Sequence, residues 1–292
     1  MTSAHPRIGI TGASGRLGRL VVEALLRSVP ASRIVAGLRN PDDDGAKALR
    51  ALDVEVRQVD YERTDTLDRA FAGIERLLLI SSNEFGKRVD QHRNVIEAAK
   101  RAGVRRIAYT SVLHADTSPP KLTDEHRRTE LVLAASGVPF VILRNGWYTE
   151  NYAASIPMAL EHGALFGSAG QGRISSAARA DYADAAAAVL TAAEVENGRI
   201  YELAGDDAYT LEEFAAEVAK VSGRPVVYRN LPEAEYEGVL LKAGLPKDLA
   251  AFVAASDSVV AEGALFEDGR DLSRLIGRPT KPMRETVAAG EH

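Results

Sequence analysis

The chain contains no cysteine, which excludes disulfide bonds, thiolate metal ligands and cysteine nucleophiles. It also lacks an apolar run of the roughly 18 residues that a membrane-spanning helix requires. The alanine-rich stretch Ala183–Ala193 comes nearest, and we predict that it forms a buried, tightly packed helix. Met1–Arg7 is not followed by the apolar segment of a secretion signal. These absences predict a cytoplasmic protein without a membrane partner.

Neither sign of charge dominates, with 36 basic and 41 acidic residues and a formal net charge of −5. Because no domain is net basic, a nucleic-acid partner is not expected. None of the six histidines has metal-ligand spacing to another, and His114-Ala115-Asp116 is interpreted as a loop, so no metal site is predicted. There is no GxSxG nucleophile elbow, and Gly18 precedes Arg19 rather than the lysine of a P-loop.

What the chain does have is a glycine-rich turn between a short apolar run and an amphipathic segment. Gly12, Gly15 and Gly18 follow the strand-like run Ile8–Ile10 at intervals of three. In dinucleotide-binding folds such glycines permit a positive φ, the close approach of a pyrophosphate, and tight packing of a helix on a strand. The spacing is GxxGxxG rather than GxGxxG, so the turn matches the generic fingerprint only approximately.

Apolar strand-like segments then alternate with helical segments through the first half of the chain. The predicted strands are Arg33–Leu38, Val54–Val59, Arg76–Ile80, Arg106–Ser111 and Phe140–Arg144, and the predicted helices are Gly45–Leu52, Thr66–Ala72, Val89–Ala102 and Glu125–Ser136. Strands without polar alternation, joined by helices, indicate a parallel sheet covered on both faces. We therefore predict an α/β fold, a doubly wound parallel Rossmann sheet over residues 1–145, followed by a smaller, mostly helical substrate lobe over residues 146–292.

The C-terminal half has a different pattern. Predicted helices are Trp147–His162, Asp181–Ala193, Thr210–Val221, Pro232–Ala243 and Lys247–Ala254; predicted strands are Arg199–Leu203 and Val226–Arg229; and Phe166–Arg173 is predicted to be irregular or hairpin-like. Arg199–Leu203 is expected to rejoin the first sheet. Thr210 and Glu213 have the spacing of a capping box at a helix start.

The residue after the second predicted strand indicates which dinucleotide is bound. NAD-binding units usually have Asp or Glu there, which accepts hydrogen bonds from the ribose hydroxyls. This chain has Arg39, and a guanidinium can hold a 2′-phosphate with two charge-assisted hydrogen bonds. Arg16 can supply a second cation, and Asp60 after the third strand can meet the adenine amine. NADP(H) is therefore favoured over NAD(H); the alternative is that Arg39 is a solvated loop residue.

The residues for alcohol oxidation are missing. Many short-chain dehydrogenases use a Tyr-x-x-x-Lys pair on a helix, in which the lysine lowers the pKa of the tyrosine. At the matching positions this chain has Leu122 and His126, followed by Glu130. A tyrosinate-dependent oxidation is thus excluded at this site. His126 is the candidate proton donor because histidine can carry a proton near neutral pH; the alternative is that it only orders a ribose or packs.

Several longer motifs are shared with one known family. They are Thr11–Gly18, Leu78–Ser82, Gln91–Ile96, Ala108–Ser111, His114–Pro119, Leu143–Tyr152, Arg179–Tyr182 and Leu272–Gly277. These motifs resemble the NmrA-like branch of the atypical short-chain dehydrogenases over nearly the whole chain. Within that branch, Arg144–Tyr148 is the most specific stretch, and it is similar to the bacterial NADPH:quinone oxidoreductases of type 2, with the triphenylmethane reductases as a sibling group.

The resemblance implies direct hydride transfer from NADPH, without flavin, to a small-molecule quinone or dye-like electrophile. Together with the strand-end positions, it gives these predicted cofactor-binding residues: Gly12, Ser14, Gly15, Arg16, Leu17, Gly18, Arg39, Asp60, Tyr61, Ser81, Ser82, Asn83, Ser111, Leu143, Asn145, Gly146, Trp147 and Tyr148. The predicted catalytic residues are Tyr148, His126 and Asn145, and the predicted substrate contacts are Phe85, Tyr148 and Asn151. Relatives often carry Gln where this chain has Arg16, which could alter cofactor affinity or preference.

Two other functions stay open at the level of sequence. NmrA-like proteins include regulators that bind a dinucleotide without catalysis, and the missing Tyr/Lys pair fits them as well. An epimerase or dehydratase is disfavoured, because those reactions need reversible alcohol oxidation. Several quinones fit the sequence equally well as substrates. Trp147 and Tyr148 can either contact a ligand or pack in the core. A homodimer is considered as the oligomeric state.

Overall fold

The computed structural model describes residues 6–289, apart from the side chains of residues 120–122. Residues 1–5, which belong to the N-terminal segment Met1–Arg7, lie outside the described residues, as does the side chain of Leu122. The chain forms two compact units. The first comprises the chain up to Ala115, Glu125–Arg144 and Arg179–Tyr201, and the second comprises Asp116–Asp124, Asn145–Ala178 and the chain from Glu202 onward.

The strands of the described residues are short. They are β1 (Ile8–Ile10), β2 (Ile34–Leu38), β3 (Glu55–Gln58), β4 (Arg76–Leu79), β5 (Arg106–Val112), β6 (Phe140–Asn145), β7 (Ala164–Gly167), β8 (Arg199–Leu203) and β9 (Val227–Asn230). A seven-stranded sheet has the order β3-β2-β1-β4-β5-β6-β8, and β1 pairs in parallel with both β2 and β4. The predicted α/β fold with a parallel Rossmann sheet is confirmed, and β8 joins this sheet as expected.

The α-helices of the described residues lie between and after these strands along the chain. They are α1 (Arg16–Leu26), α2 (Asp44–Arg50), α3 (Thr64–Phe71), α4 (Arg88–Arg101), α5 (Pro120–Ala135), α6 (Thr149–Ala153), α7 (Ile156–His162), α8 (Arg179–Thr191), α9 (Leu211–Ser222), α10 (Glu233–Lys242), α11 (Lys247–Val260), α12 (Asp271–Ile276) and α13 (Met283–Ala289). The alanine-rich stretch forms α8, which packs against α1 with Ala183, Ala185 and Ala186 buried, as predicted.

The sheet order places the glycine turn where such folds bind ligands. Going outward from β1, the strand order runs one way through β2 and β3 and the other way through β4 and β5. Between β1 and β4 the connections diverge, which opens a crevice at the carboxyl ends of the strands. The glycine turn leaves β1 at this point. All residues of β1 and β2 are buried, as expected for strands covered on both faces.

The second unit departs from the prediction in two places. The predicted single helix over Trp147–His162 is wrong, because the chain forms α6 and α7 with a break at Ala154–Ser155. Pro157 lies in the first turn of α7, where its missing N–H costs no helical hydrogen bond but prevents continuation from α6. Phe166–Arg173 was predicted to be irregular or hairpin-like. The hairpin is wrong, because Phe166 and Gly167 end β7, which pairs in parallel with the distant strand β9, whereas Ser168–Arg173 is irregular as predicted.

Other parts of the second unit agree with the sequence pattern. The Thr210 side chain accepts a hydrogen bond from the Glu213 N–H, and the Glu213 carboxylate accepts one from the Thr210 N–H, which confirms the capping box of α9. The strand predicted at Val226–Arg229 is β9, one residue later. The last helix predicted, Lys247–Ala254, continues to Val260 as α11, and α12 and α13 were not predicted.

Candidate cofactor-binding and active site

The glycine turn is packed so closely at Gly18 that no side chain fits at that position. Gly12 has a φ of +60°, and its carbonyl accepts the Gly15 N–H at 3.0 Å. A Cβ added at Gly18 would lie 2.3 Å from the Gly12 carbonyl oxygen and 2.7 Å from the Ala13 Cα. Both partners are backbone atoms, so they cannot yield as a flexible side chain would. Gly18 therefore allows α1 to begin directly against the end of β1.

The start of α1 suits an anion. No side chain caps it, and its first turn contains no acidic residue. The first N–H groups of a helix lack intrahelical partners, and the helix dipole adds partial positive charge at this end. Arg16, the first residue of α1, adds a full positive charge. A phosphate or pyrophosphate is the ligand that this combination favours.

A cavity of about 570 Å³ lies beside the turn, within the first unit. Predicted cofactor-binding residues that line it are Gly12, Ser14, Gly15, Arg16, Leu17, Gly18, Arg39, Tyr61, Ser81, Ser82 and Asn83. Residues that line it without having been singled out are Leu38, Asn40, Asp43, Val59 and Ile80. Leu38, Asn40, Val59 and Ile80 lie at or beside predicted strand ends, so the strand pattern was the signal that could have found them, whereas Asp43 is the N-cap of α2.

Three of the cofactor contacts predicted within the first unit do not line this cavity. The Asp60 carboxylate accepts the Glu62 N–H at 3.0 Å and so shapes the turn after β3. Ser111 donates its hydroxyl proton to Glu130 Oε1 at 2.5 Å, and Leu143 is fully buried in β6. Their part in binding a cofactor stays a prediction.

The segment after β4 is fixed by side chains from other elements. The Ile80 N–H donates to Thr11 Oγ1 at 3.0 Å, and the Ile80 carbonyl accepts the Tyr61 hydroxyl at 2.8 Å. The Ser81 N–H donates to Thr110 Oγ1 at 2.9 Å. Burial raises the pKa of Tyr61, so its hydroxyl keeps the proton that it donates. The backbone that borders the cavity is thus held in one conformation.

His92 and Arg88 complete this support at Ser82. The Ser82 N–H donates to His92 Nε2 at 2.9 Å, and Arg88 Nε donates to the Ser82 carbonyl at 2.6 Å. Burial and the nearby Arg88 cation lower the pKa of His92 to about 3, so the imidazole is neutral and Nε2 can accept. Its Nδ1 is 3.0 Å from Thr129 Oγ1. Neither His92 nor Arg88 was among the site residues predicted from the sequence, because α4 comes into contact with the segment after β4 only in the folded chain.

His126 is buried and neutral, which corrects one expectation. Its Nδ1 lies 2.8 Å from the hydroxyl of Tyr109. Burial, followed by the nearby Arg88 cation, lowers the pKa of His126 well below its usual value. Burial also raises the pKa of Tyr109. The expectation that His126 carries a proton near neutral pH is therefore wrong, because a desolvated imidazole beside a cation favours its neutral form.

Glu130, four positions after His126, belongs to a buried ion pair. Arg144 Nε donates to Glu130 Oε1 at 3.0 Å, and Arg144 Nη2 donates to Oε2 at 2.8 Å. The side chain of Arg144 is 5% exposed and that of Glu130 is 9% exposed. This two-pronged contact joins α5 to β6 and reaches Ser111 on β5 through the hydroxyl bond. The pair therefore links three elements of the first unit through buried contacts.

In the second unit, Asn145 and Tyr148 lie together. Asn145 Nδ2 is 3.4 Å from the Tyr148 hydroxyl oxygen. Among the described residues, the buried Asn145 Oδ1 has no hydrogen-bond partner. Such an acceptor is rare in a folded protein and suits a ligand that donates a proton. Gly146 donates its N–H to the Leu203 carbonyl, and the Tyr148 backbone bridges Ala177, which fixes the segment.

The remaining predicted residues have different environments. Trp147 packs against the core of the second unit, with its ring 6.1 Å from that of Tyr152. Asn151 in α6 is exposed. Phe85 belongs to the first unit and is 51% exposed. The guanidinium of Arg88 lies over its ring, 5.1 Å from the ring centre. Core packing of Trp147, the alternative considered from the sequence, is therefore observed.

Residues 6–289 contain neither a cluster of metal-ligating side chains nor a helix suited to a membrane. No group of three or more His, Asp or Glu side chains there is arranged to hold a metal ion. None of the described helices combines the length and apolar character that spanning a membrane requires.

Residues 12–193 match a protein family described as NAD(P)H-binding. The chain belongs to this NAD(P)H-binding family. The matched region begins at the first glycine of the turn and includes every residue that lines the cavity. Membership in the family and the fit of the turn to a pyrophosphate thus point to the same place in the fold.

Relatives of this NAD(P)H-binding chain match it almost from end to end. Quinone oxidoreductase 2 of Escherichia coli strain K12 is 56% identical over 281 residues, which are 96% of this chain and 97% of the relative. The E. coli NADPH-dependent quinone oxidoreductase crystallised with NADPH has 55% identity and a TM-score of 0.93, covering 97% of this chain and 99% of the other. The Citrobacter sp. triphenylmethane reductase complexed with NADP(H) has 36% identity and a TM-score of 0.92, covering 97% and 99%. The resemblance found in the motifs is confirmed.

The NAD(P)H-binding chain also contains a buried carboxyl group in its second unit. Asp257 on α11 is 3% exposed. Its Oδ1 accepts the Tyr152 hydroxyl and its Oδ2 accepts the Ser168 N–H, both at 3.0 Å. Burial outweighs these hydrogen bonds and raises the pKa of Asp257 to about 6. The folded state therefore favours the protonated carboxyl more than the unfolded chain does.

Replacing Asp257 by Asn should remove a pH dependence of stability. The contribution of the protonated carboxyl is fully present below the unfolded pKa of 3.8 and is lost as the pH rises through about 6. Between pH 4 and pH 7 the free energy of unfolding of the variant should therefore rise by about 2 kcal/mol relative to the unmodified protein. Urea unfolding across this range measures the difference. Asp248→Asn, at an exposed position of α11, is the control; an equal trend for both variants would contradict the assignment.

Proposed function

We propose that the chain is an NADPH-dependent quinone oxidoreductase that transfers a hydride directly to a quinone or a similar electrophile without flavin. The observation that carries the proposal is the near-full-length, 56% identity to E. coli quinone oxidoreductase 2. A regulator that only senses the dinucleotide was the alternative, and the similarity to a reductase favours the enzyme. Triphenylmethane reductase, named for a dye class, supports a small-molecule electrophile as the substrate.

The residues of the first unit fit the proposed dinucleotide. The glycine turn exposes backbone without a Cβ at Gly12 and Gly15, and the start of α1 offers N–H groups to the pyrophosphate. Arg39 would hold the 2′-phosphate, with Arg16 as a second cation at the cavity. Ser81, Ser82 and Asn83 would line the central part of the cofactor. When bound, NADPH supplies the hydride, and the protein supplies position and the exclusion of water.

The protonation states of the buried groups agree with hydride transfer to a quinone. Addition of one hydride to a quinone leaves a hydroquinone anion, which needs one proton to complete the reduction. Tyr109 has a raised pKa and His126 a lowered one, so neither matches neutral pH as a general acid or base. An alcohol oxidation would need such a base. A hydroquinone anion can instead take its proton from water.

Asn145 and Tyr148 are proposed to act on the substrate. The Tyr148 hydroxyl would donate a hydrogen bond to a quinone oxygen, and that bond strengthens as negative charge develops. Asn145 orients the hydroxyl through its 3.4 Å contact and keeps its buried Oδ1 for a ligand donor. Asn151 and Phe85 are proposed to border the substrate.

Replacing Tyr148 by Phe should lower kcat/KM for a quinone by about tenfold to hundredfold, the range for one hydrogen bond to developing charge. The ring remains, so the Kd of NADPH and the melting temperature should change little. Tyr201→Phe, which removes the hydroxyl of a half-buried tyrosine in β8, is the matched control. Early melting of Tyr148→Phe with normal quinone kinetics would show instead that Tyr148 serves only the fold.

Parallel assays test the proposed reaction class. The protein with NADPH should reduce small quinones faster than a protein-free blank, and with NADP⁺ it should leave secondary alcohols unoxidised. Tight NADPH binding without turnover of quinones or dyes would favour the regulator. Alcohol oxidation at a comparable rate would overturn the mechanism.

The proposal also covers the surroundings of the enzyme. We expect it to act in the cytoplasm, where NADPH is available, on a free small molecule and without nucleic acid. A homodimer stays a prediction, which the molecular mass in solution would test.

A further inference from the structure

An ion pair lies at the rim of the nucleotide cavity in the first unit. Arg39 follows β2 and lines the cavity, and Glu84 follows the cavity residue Asn83 on the segment after β4. Arg39 Nη2 donates to Glu84 Oε1 at 2.6 Å, although 45 positions separate the two residues. The guanidinium predicted to hold a 2′-phosphate is therefore engaged by a carboxylate of the protein itself.

The two partners differ in how firmly they are held. Glu84 Oε2 accepts a hydrogen bond from Gln91 Nε2 at 3.0 Å, and Gln91 is only 4% exposed. The Arg39 side chain, by contrast, is 69% exposed. The carboxylate of Glu84 is held in position by its hydrogen bond to the buried amide of Gln91. The exposed guanidinium of Arg39 is the partner that can rotate and bind another anion.

Lys87 offers Glu84 a second cation. Its Nζ lies 3.9 Å from Glu84 Oε2 and 2.8 Å from Glu62 Oε1. If Arg39 leaves Glu84 for another anion, the carboxylate still has Lys87 and Gln91 beside it. An exchange of Arg39 between Glu84 and a ligand is therefore feasible without isolating a charge.

We propose that Glu84 is a specificity-determining residue that competes with the 2′-phosphate of NADPH for Arg39. The inference rests on the proposed function, in which Arg39 binds that phosphate. Two anions then share one guanidinium, so the phosphate must displace Glu84 or bind against its repulsion. NADH has no 2′-phosphate and meets no such competition. Glu84 consequently narrows the difference in affinity between the two cofactors.

Glu84→Gln tests the competition. The amide keeps the size of the side chain and can still accept from Gln91, but it removes the negative charge opposite Arg39. NADPH should bind about threefold to tenfold more tightly, the range for an exposed ion pair and a like-charge repulsion, while the Kd of NADH stays within twofold. Nicotinamide fluorescence, titrated at low salt without quinone, measures both constants. Glu97→Gln, an exposed residue of α4, controls for net charge.

A second variant shows whether the effect passes through Arg39. In Arg39→Gln, the added Glu84→Gln change should give no gain in NADPH affinity, because the guanidinium for which the anions compete is gone. A gain of equal size in both backgrounds would overturn the proposal, since it would reflect general repulsion of the cofactor. The melting temperatures of all variants are measured alongside.

The outcomes separate this inference from the proposed function. Equal affinity of the unmodified protein for NADPH and NADH would overturn the role of Arg39, on which both depend. A clear preference for NADPH, unchanged or weakened by Glu84→Gln, would overturn the role of Glu84 alone. A preference that rises in Glu84→Gln but not in Glu97→Gln supports the competition.

Discussion

Exchanging Arg39 for Asp is expected to weaken NADPH binding by about tenfold to hundredfold, which corresponds to the 1.5–3 kcal/mol of a charge-assisted hydrogen-bond contact. The substitution removes a cation that lines the cavity after β2 and places a carboxylate where NAD-binding units have one. Affinity for NADH should be kept or improved, because the new carboxylate can accept hydrogen bonds from the ribose hydroxyls. The ratio of the two dissociation constants is the quantity to measure.

Arg39→Gln separates the loss of a positive charge from the gain of a negative one. It should weaken NADPH binding without improving NADH binding. A decline of both affinities by the same factor in Arg39→Asp would contradict a contact to the 2′-phosphate, because NADH has no such group.

The second large effect concerns the buried pair of Arg144 and Glu130. Arg144→Met should lower the free energy of unfolding by about 3–5 kcal/mol, because it leaves the carboxylate of Glu130 buried without its two-pronged partner. Methionine approximates the length of the arginine stem, so packing changes less than charge. Urea unfolding at neutral pH measures the loss.

The double variant Arg144→Met, Glu130→Leu is the informative comparison. Replacing both charges by apolar groups removes the uncompensated carboxylate, so much of the lost stability should return, although Ser111 loses its acceptor. If the double variant is as unstable as Arg144→Met, lost packing rather than an unpaired charge explains the effect.

Local patterns made the first half of the fold predictable. Strands β2 to β6 lie within two residues of their predicted ends. For β2, β4, β5 and β6 the reason is that continuous apolar runs bounded by polar loops are characteristic of strands buried on both faces. The edge strand β3 has no fully buried residue and follows the apolar residue Val54. The glycine turn was equally visible, since only glycine fits the backbone contacts made at Gly18. The Thr210–Glu213 capping box was readable because all its atoms lie within one helical turn.

Features that depend on distant partners were not predictable. The pairing of β7 with β9 joins segments about sixty positions apart, and neither segment alone specifies the other. The lowered pKa of His126 depends on burial and on Arg88 from another helix, so the residue type alone gave the wrong charge. The same holds for His92 and for the contact between Arg39 and Glu84, which appear only when α4 and the strand ends come together.

Direct hydride transfer to a quinone is the central claim, and isotopic labelling of the nicotinamide tests it most directly. NADPH carrying deuterium at one face of C4 is mixed with the protein and a quinone, and the loss of nicotinamide absorbance is followed against a protein-free blank. We expect consumption of one NADPH per quinone, in flavin-free protein, slowed by deuterium on one face of C4 and not on the other. Absorbance that declines no faster than the blank, with NADPH demonstrably bound, would contradict the account.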